Sequence, residues 1–168
     1  MSAAGAALIL LASLGFALSL VRTKKRSLET LRGMDAALER LYAELSLRQT
    51  SLPELTELLA NDASGTAGAF FRKLDALLSQ LGERPFSALW REALRTLSEL
   101  DGAELDALER LGGALGRYAL DEQLAAVADC RARLGRGLRA RGDGLKEQKR
   151  LAYGLCLAAG FLLCILLY

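Results

Sequence analysis

The residues best placed by type and spacing to do chemistry are carboxylates. Glu54 and Glu57 lie three apart, as do Asp101 and Glu104, and Asp106 and Glu109 follow the second pair. Three residues is nearly one helical turn, so each pair shares a helix face. Two such groups buried together with raised pKa values could act as general acid and base. Their setting argues for a simpler role. Ser51 stands three before Glu54 with Pro53 between them, and Asp101 stands three before Glu104. That is the spacing of a capping box at a helix start, where anions also favour the helix dipole. The same six acids then read as exposed acidic edges, candidate contacts for a partner.

The rest of the catalytic inventory is thin. The chain has no histidine, so neither a Ser-His-Asp nor a Cys-His arrangement nor an imidazole metal ligand can be built. Cys130, Cys156 and Cys164 form no CxxC pair, so the sequence offers no metal site. No glycine-rich loop leads into Lys-Ser or Lys-Thr and no dinucleotide fingerprint appears. Trp90 sits at helical spacing among leucines and reads as core. The expectation is a non-enzyme without cofactor.

The elements that position these residues read as helices throughout. Leu28, Leu31, Leu38, Leu41, Tyr42 and Leu45 recur at three and four from Ser27 to Arg48. A short second helix follows from Ser51 to about Ala60. The stretch 61–68, NDASGTAG, has turn composition. A third helix is expected from Thr66 or Ala67 to Leu81, stopped by Gly82. A fourth starts at Pro85 and carries Leu89, Trp90, Ala93, Leu94 and Leu97 on one face. A fifth opens at Asp101 and includes Leu105, Leu108, Leu111 and Leu115. The last begins around Leu120 or Asp121, and its Gly135, Gly137, Gly142 and Gly144 each cost about 1 kcal/mol against alanine. Gly142 to Gly144 is the expected hinge. Nothing shows the period-two pattern of a strand.

Both ends are apolar. Ala3 to Val21 is nineteen residues without a charge and Leu151 to Tyr168 is eighteen, each long enough to cross a bilayer. Arg22, Lys24, Lys25 and Arg26 flank the first, and Lys146, Lys149 and Arg150 flank the second. The net charge of +2 conceals an acidic body, residues 27–130 carrying ten cations against eighteen anions. Such a body is a poor partner for nucleic acid, which needs a basic face. The cations follow the first apolar run rather than preceding it, which fits a retained anchor and not a removable signal peptide. Basic flanks stay on the cytoplasmic side. The expected arrangement is an N-terminal anchor at 1–21, a cytoplasmic domain at 22–150 and a C-terminal anchor at 151–168, with both termini outside. The fold class is all-α, a bundle of about six helices between two transmembrane helices. Small residues, Ser13 with Ala17 and Gly154 with Ala158, allow the anchors to pair, but are also common in membrane helices generally.

Three stretches in this order carry a family resemblance: Glu44-Leu45 with Leu52-Pro53-Glu54, Trp90 with Ala93-Leu94, and Leu111-Gly112-Gly113-Ala114-Leu115-Gly116 followed by Asp121-Glu122-Gln123. With the two apolar ends, they make the chain resemble the stage III sporulation protein AB family of endospore-forming bacteria. The chain has Ala119 where the family pattern has Asp. The resemblance implies a membrane component of the channel-like complex joining mother cell and forespore, in the mother-cell membrane facing the forespore. It also implies a body similar to the cytoplasmic domains of type II secretion and pilus platform proteins. The implied partners are a cytoplasmic secretion-type ATPase and other membrane subunits. On that view Gly112, Gly116 and Gln123 are structural. Two rival expectations are a self-associating membrane scaffold, homo-oligomeric and without an ATPase, and a membrane-tethered enzyme using a carboxylate pair.

Overall fold

A computed structural model describes the backbone of residues 3–48 and 50–142, and side chains from Lys25 onward within them. Among the described residues there are six α-helices: α1 Ala3–Arg48, α2 Leu52–Asp62, α3 Gly65–Leu77, α4 Phe86–Leu94, α5 Gly102–Ala114 and α6 over 120–142. No strand is formed among them, and the only extended pairing is an isolated bridge between Leu81 and Arg84.

The first helix departs from its expected start at Ser27. Backbone hydrogen bonding runs unbroken from Ala3, so α1 is one rod of 46 residues, about 69 Å long. No helix among the residues whose side chains are described is long and apolar enough to cross a membrane. The expected anchors at 1–21 and 151–168 lie outside that set, as do Leu145, the membrane-flanking Lys146, Lys149 and Arg150, and the Gly144 half of the expected hinge.

Local chemistry sets the helix ends. The turn expected over 61–68 shrinks to Ala63 and Ser64, because α2 continues to Asp62 and α3 begins at Gly65 with φ of 60°. Ser51 is the N-cap of α2 but its side chain makes no capping bond, so the box with Glu54 does not close. The box at Asp101 does close, the Asp101 N–H donating to Glu104 Oε2 at 2.9 Å. α3 ends at Leu77 and gives way to a 3₁₀ turn, Leu78–Gln80, before Gly82 at φ 115°. α4 ends three residues earlier than its apolar pattern, yet Leu97 beyond it is buried. α6 passes through Gly135 and Gly137 without a break.

One core joins all six helices. Leu31, Met34, Leu38 and Leu41 of α1 meet Leu55 and Leu59 of α2, Phe70, Phe71 and Leu74 of α3, and Leu108 and Leu111 of α5. Val127, Cys130 and Leu134 bring in α6. Trp90 lies at the centre at 1% exposure. The Phe70 ring meets it edge-on at 4.9 Å between centroids, and Phe86 lies tilted at 5.8 Å. Such aromatic pairs add to the stabilisation from buried area. Tyr42, expected in the α1 stripe, is instead exposed at the margin.

α1 and α6 run antiparallel. Arg131 reaches Asp35 at 3.2 Å and Glu39 at 3.1 Å, while six residues later Gly137 lies against Leu31. As numbers rise along α6 they fall along α1. The start of the described side chains on α1 and the end of α6 therefore share one end of the bundle, called here the exit end. α5 starts at this end and finishes at the other, where Gly116 lies against Leu52.

Candidate functional site

The six acids separate into three kinds. Glu54 and Glu57 are exposed on α2 and Asp106 is exposed on α5, and none forms an ion pair among the described residues. Glu109 is exposed but engaged, accepting from Arg91 Nε at 2.7 Å. Asp101 and Glu104 belong to a built cluster at the exit end. The structure does not gather the six on one face: α2 packs on α3 and α1, whereas α5 packs on α4.

Glu104 is corrected outright as a contact candidate, because it points inward at 6% exposure. Its Oε2 accepts from the Asp101 N–H and from Arg141 Nη2 at 2.7 Å, and the same Nη2 donates to Asp101 Oδ2 at 2.6 Å. A carboxylate this far from water is tolerated only when paired and hydrogen-bonded. Gly137 makes the pairing possible, since a Cβ there would collide with Glu104 Oε1. Arg141, one turn further, then faces the same carboxylate. Burial works against the Arg141 charge, but hydrogen bonds to Asp101 and Glu104 outweigh it and raise its pKa above the ordinary guanidinium value. Beside this cluster, the buried Ser27 hydroxyl donates to the Glu99 carbonyl at 2.6 Å, tying α1 to the α4–α5 connection. Arg141, Ser27 and Glu99 were not singled out in the sequence. Their partners lie 37 to 72 residues away, and the only local trace is a costly Gly137 one turn before an arginine.

The flanking cations fall partly in view. Lys25 and Arg26 are exposed at the exit end, Lys25 lying 3.7 Å from Glu29. The side chains of Arg22 and Lys24 lie outside the described residues, as do those of the C-terminal three.

Acid-base and metal chemistry find little purchase. Of the two carboxylate pairs, Glu54 and Glu57 are exposed to water, and Asp101 and Glu104 converge on an arginine. No group of three or more Cys, Asp or Glu side chains among the described residues could hold a metal ion. Cys130 is 2% exposed, and burial first, then the Asp129 charge, pushes its pKa from 9.0 up to about 12. A thiol is nucleophilic only as thiolate. At pH 8, alkylation of Cys130 by iodoacetamide, followed by peptide mapping, is expected to be undetectable in the folded chain and rapid in urea. The fold also favours the neutral thiol, so this contribution is complete below pH 9 and declines above it, where the unfolded chain ionises first.

The three motif residues read as structural have visible work. Gly112 leaves room for the Trp90 indole, whose Nε1 donates to the Leu108 carbonyl at 2.8 Å. Gly116 adopts φ of 73°, closing α5. Gln123 clasps the α5–α6 connection, accepting from the Gly116 N–H at 3.2 Å and donating to the Tyr118 carbonyl at 2.8 Å. With this clasp α6 begins at 120, directly after Ala119.

A family model described as stage III sporulation protein AB matches residues 2–168, essentially the whole chain. The chain belongs to the stage III sporulation protein AB family. A solved structure titled "Stage III sporulation protein AB (SpoIIIAB)" has the same fold, with a TM-score of 0.65 at 18% identity. The match covers 72% of this chain and 97% of that one. No curated protein matches the chain. Membership places it among sporulation proteins, and the glycine and glutamine devices above serve this family member's bundle rather than a reaction.

Proposed function

We propose that this stage III sporulation protein AB family member is a non-catalytic platform, held to the mother-cell membrane at both ends, that couples a cytoplasmic secretion-type ATPase to the membrane subunits of a sporulation channel complex. The observation supporting it most is the antiparallel pairing of α1 and α6. Two apolar runs that continue from the same end of a bundle can enter one bilayer from one side, leaving the opposite end free. Glu54 and Glu57 fit this division. Leu52 lies at the far end beside Gly116, so α2 carries Glu54 and Glu57 away from the exit end. An acidic surface there steers toward a basic face and away from anionic lipid.

The test is copurification of the full-length chain, in mild detergent, with the ATPase of the same complex. Reversing Glu54 and Glu57 to lysine is expected to lower recovery of the complex about tenfold or more, the scale of like charges meeting at an interface. Reversing Glu109, already engaged by Arg91, is expected to matter less. Undiminished recovery with both α2 charges reversed rejects α2 as the contact, and no recovery with the unaltered chain rejects the coupling role.

A further inference from the structure

An open cavity of about 630 Å³ lies at the exit end, lined by Arg26, Glu29, Thr30 and Arg32 of α1, by Ser64 to Thr66 and by Glu99. Charged and hydroxyl side chains line it alongside a comparable share of apolar surface. Its charges sum to zero but are not mutually satisfied. Glu29 is approached by Lys25, whereas Arg26 and Arg32 pair with no carboxylate among the described residues. Glu99 takes no hydrogen bond from a described side chain, and its Oε2 is buried without any partner. A half-buried carboxylate left without a donor calls for a bound one. The cavity thus offers two open guanidiniums and one open carboxylate, complementary to a ligand carrying both an anion and a hydrogen-bond-donating cation.

The position of the cavity says where such a ligand would come from. On the proposed membrane reading, on which this inference rests, the hydrocarbon layer ends near Val21. α1 is unbroken across that boundary, so Arg26 stands about 7 Å beyond it along the axis. The headgroup layer is itself about 5 to 7 Å thick on each side. Side chains on a helix lean toward its N-terminus, which sends Arg26 back toward the bilayer, whereas Arg32, about 16 Å beyond Val21, stands outside the headgroup layer. Glu99 is held at the same level, because its carbonyl is bonded to Ser27, the next residue after Arg26. We infer that this cavity binds the headgroup of an aminophospholipid, the phosphate diester meeting Arg26 and the primary ammonium meeting Glu99. Choline lipids share the phosphate but have no N–H to give Glu99, and phosphatidylglycerol has no cation to meet it.

The experiment uses the full-length chain. Flotation with vesicles of phosphatidylcholine alone checks anchoring, which does not involve the cavity. The chain is then extracted from nanodiscs holding equal parts of palmitoyl-oleoyl phosphatidylethanolamine, phosphatidylcholine and phosphatidylglycerol, and retained lipid is counted by native mass spectrometry. One ethanolamine lipid per chain is expected, favoured over choline lipid about tenfold, on the scale of one charge-assisted hydrogen bond. Glu99→Gln is expected to bring that ratio near one while total lipid falls little, Arg26→Gln to lower retention of both, and Arg32→Gln to leave retention unchanged. Circular dichroism confirms that each variant is folded; Arg26 and Arg32 are exposed, so folding does not depend on them. Equal retention of ethanolamine and choline lipids, a preference that survives Glu99→Gln, or a preference for phosphatidylglycerol overturns the inference. So does binding of soluble phosphoethanolamine as tight as that of the lipid, which would assign the cavity to a free metabolite. A chain that does not float fails at the anchoring reading; one that floats but shows no headgroup preference fails at the cavity.

Discussion

Arg141→Leu is expected to destabilise the bundle by about 3 kcal/mol, the low end of what removing one member of a buried ion pair costs. The loss comes from what stays behind. Glu104 keeps its bond from the Asp101 N–H but loses its counter-charge, in a site where its side chain is only 8% exposed with Arg141 in place. Asp101 contributes little to the figure, since its side chain is 77% exposed and already stabilised by water. A thermal melt of the full chain in mild detergent, followed by far-ultraviolet circular dichroism, is expected to show a midpoint lower by about 12 °C for a domain of this size. Adding Glu104→Gln to Arg141→Leu removes the stranded charge and is expected to recover about half of the loss. If the double variant is no more stable than the single one, Glu104 is not the origin of the effect. The consequence for the proposed function is geometric. This cluster joins the last described turn of α6 to the start of α5, at the end from which the proposed function has both apolar runs enter the membrane.

That cluster also shows where sequence reading stops. The helices were legible because leucines at three and four spacing report burial directly, and because Pro53, Pro85, Gly82 and Gly116 mark ends through backbone geometry that any reader can apply. The Asp101 box was legible for the same reason, being contained within four residues. The second fate of Glu104 was not. Nothing within one turn of it distinguishes a capping glutamate in water from one buried under an arginine 37 residues away. Ser51 and Glu54 carry the same spacing and do not close, so the pattern licenses a box without compelling one. The continuity of α1 was hidden by composition, since the change from apolar to charged residues at Val21 and Arg22 alters the surface of a helix and not its backbone hydrogen bonds. Of the acidic edges, the sequence could name the residues but not which of them an internal arginine takes; the fold leaves Glu54, Glu57 and Asp106 exposed and without an ion pair among the described residues.

Gly112 and Gly113 give a sharper test of the core, because adjacent glycines in one helix are expected to respond to alanine with opposite signs. Helix propensity alone favours alanine at both positions by about 1 kcal/mol. At Gly113 nothing lies within 4 Å of the added methyl, so Gly113→Ala is expected to stabilise by about 0.5 to 1 kcal/mol. At Gly112 the methyl would overlap the Trp90 ring carbons and stand 2.7 Å from Nε1. The indole cannot step aside: its N–H is bonded to the Leu108 carbonyl, Phe70 meets it edge-on, and Phe86 lies beside it. Forcing a methyl into a packed core costs typically 1–3 kcal/mol and sometimes more, and a contact this close belongs at the top of that range, leaving a net loss of about 2 kcal/mol after the propensity gain. Paired denaturation curves of the two full-length variants in the same detergent read the difference directly. Equal shifts of the same sign would mean that α5 does not approach Trp90 through Gly112. Opposite shifts would make the Leu-Gly-Gly-Ala-Leu-Gly motif a helix-to-tryptophan contact in which only the first of its paired glycines is obligatory.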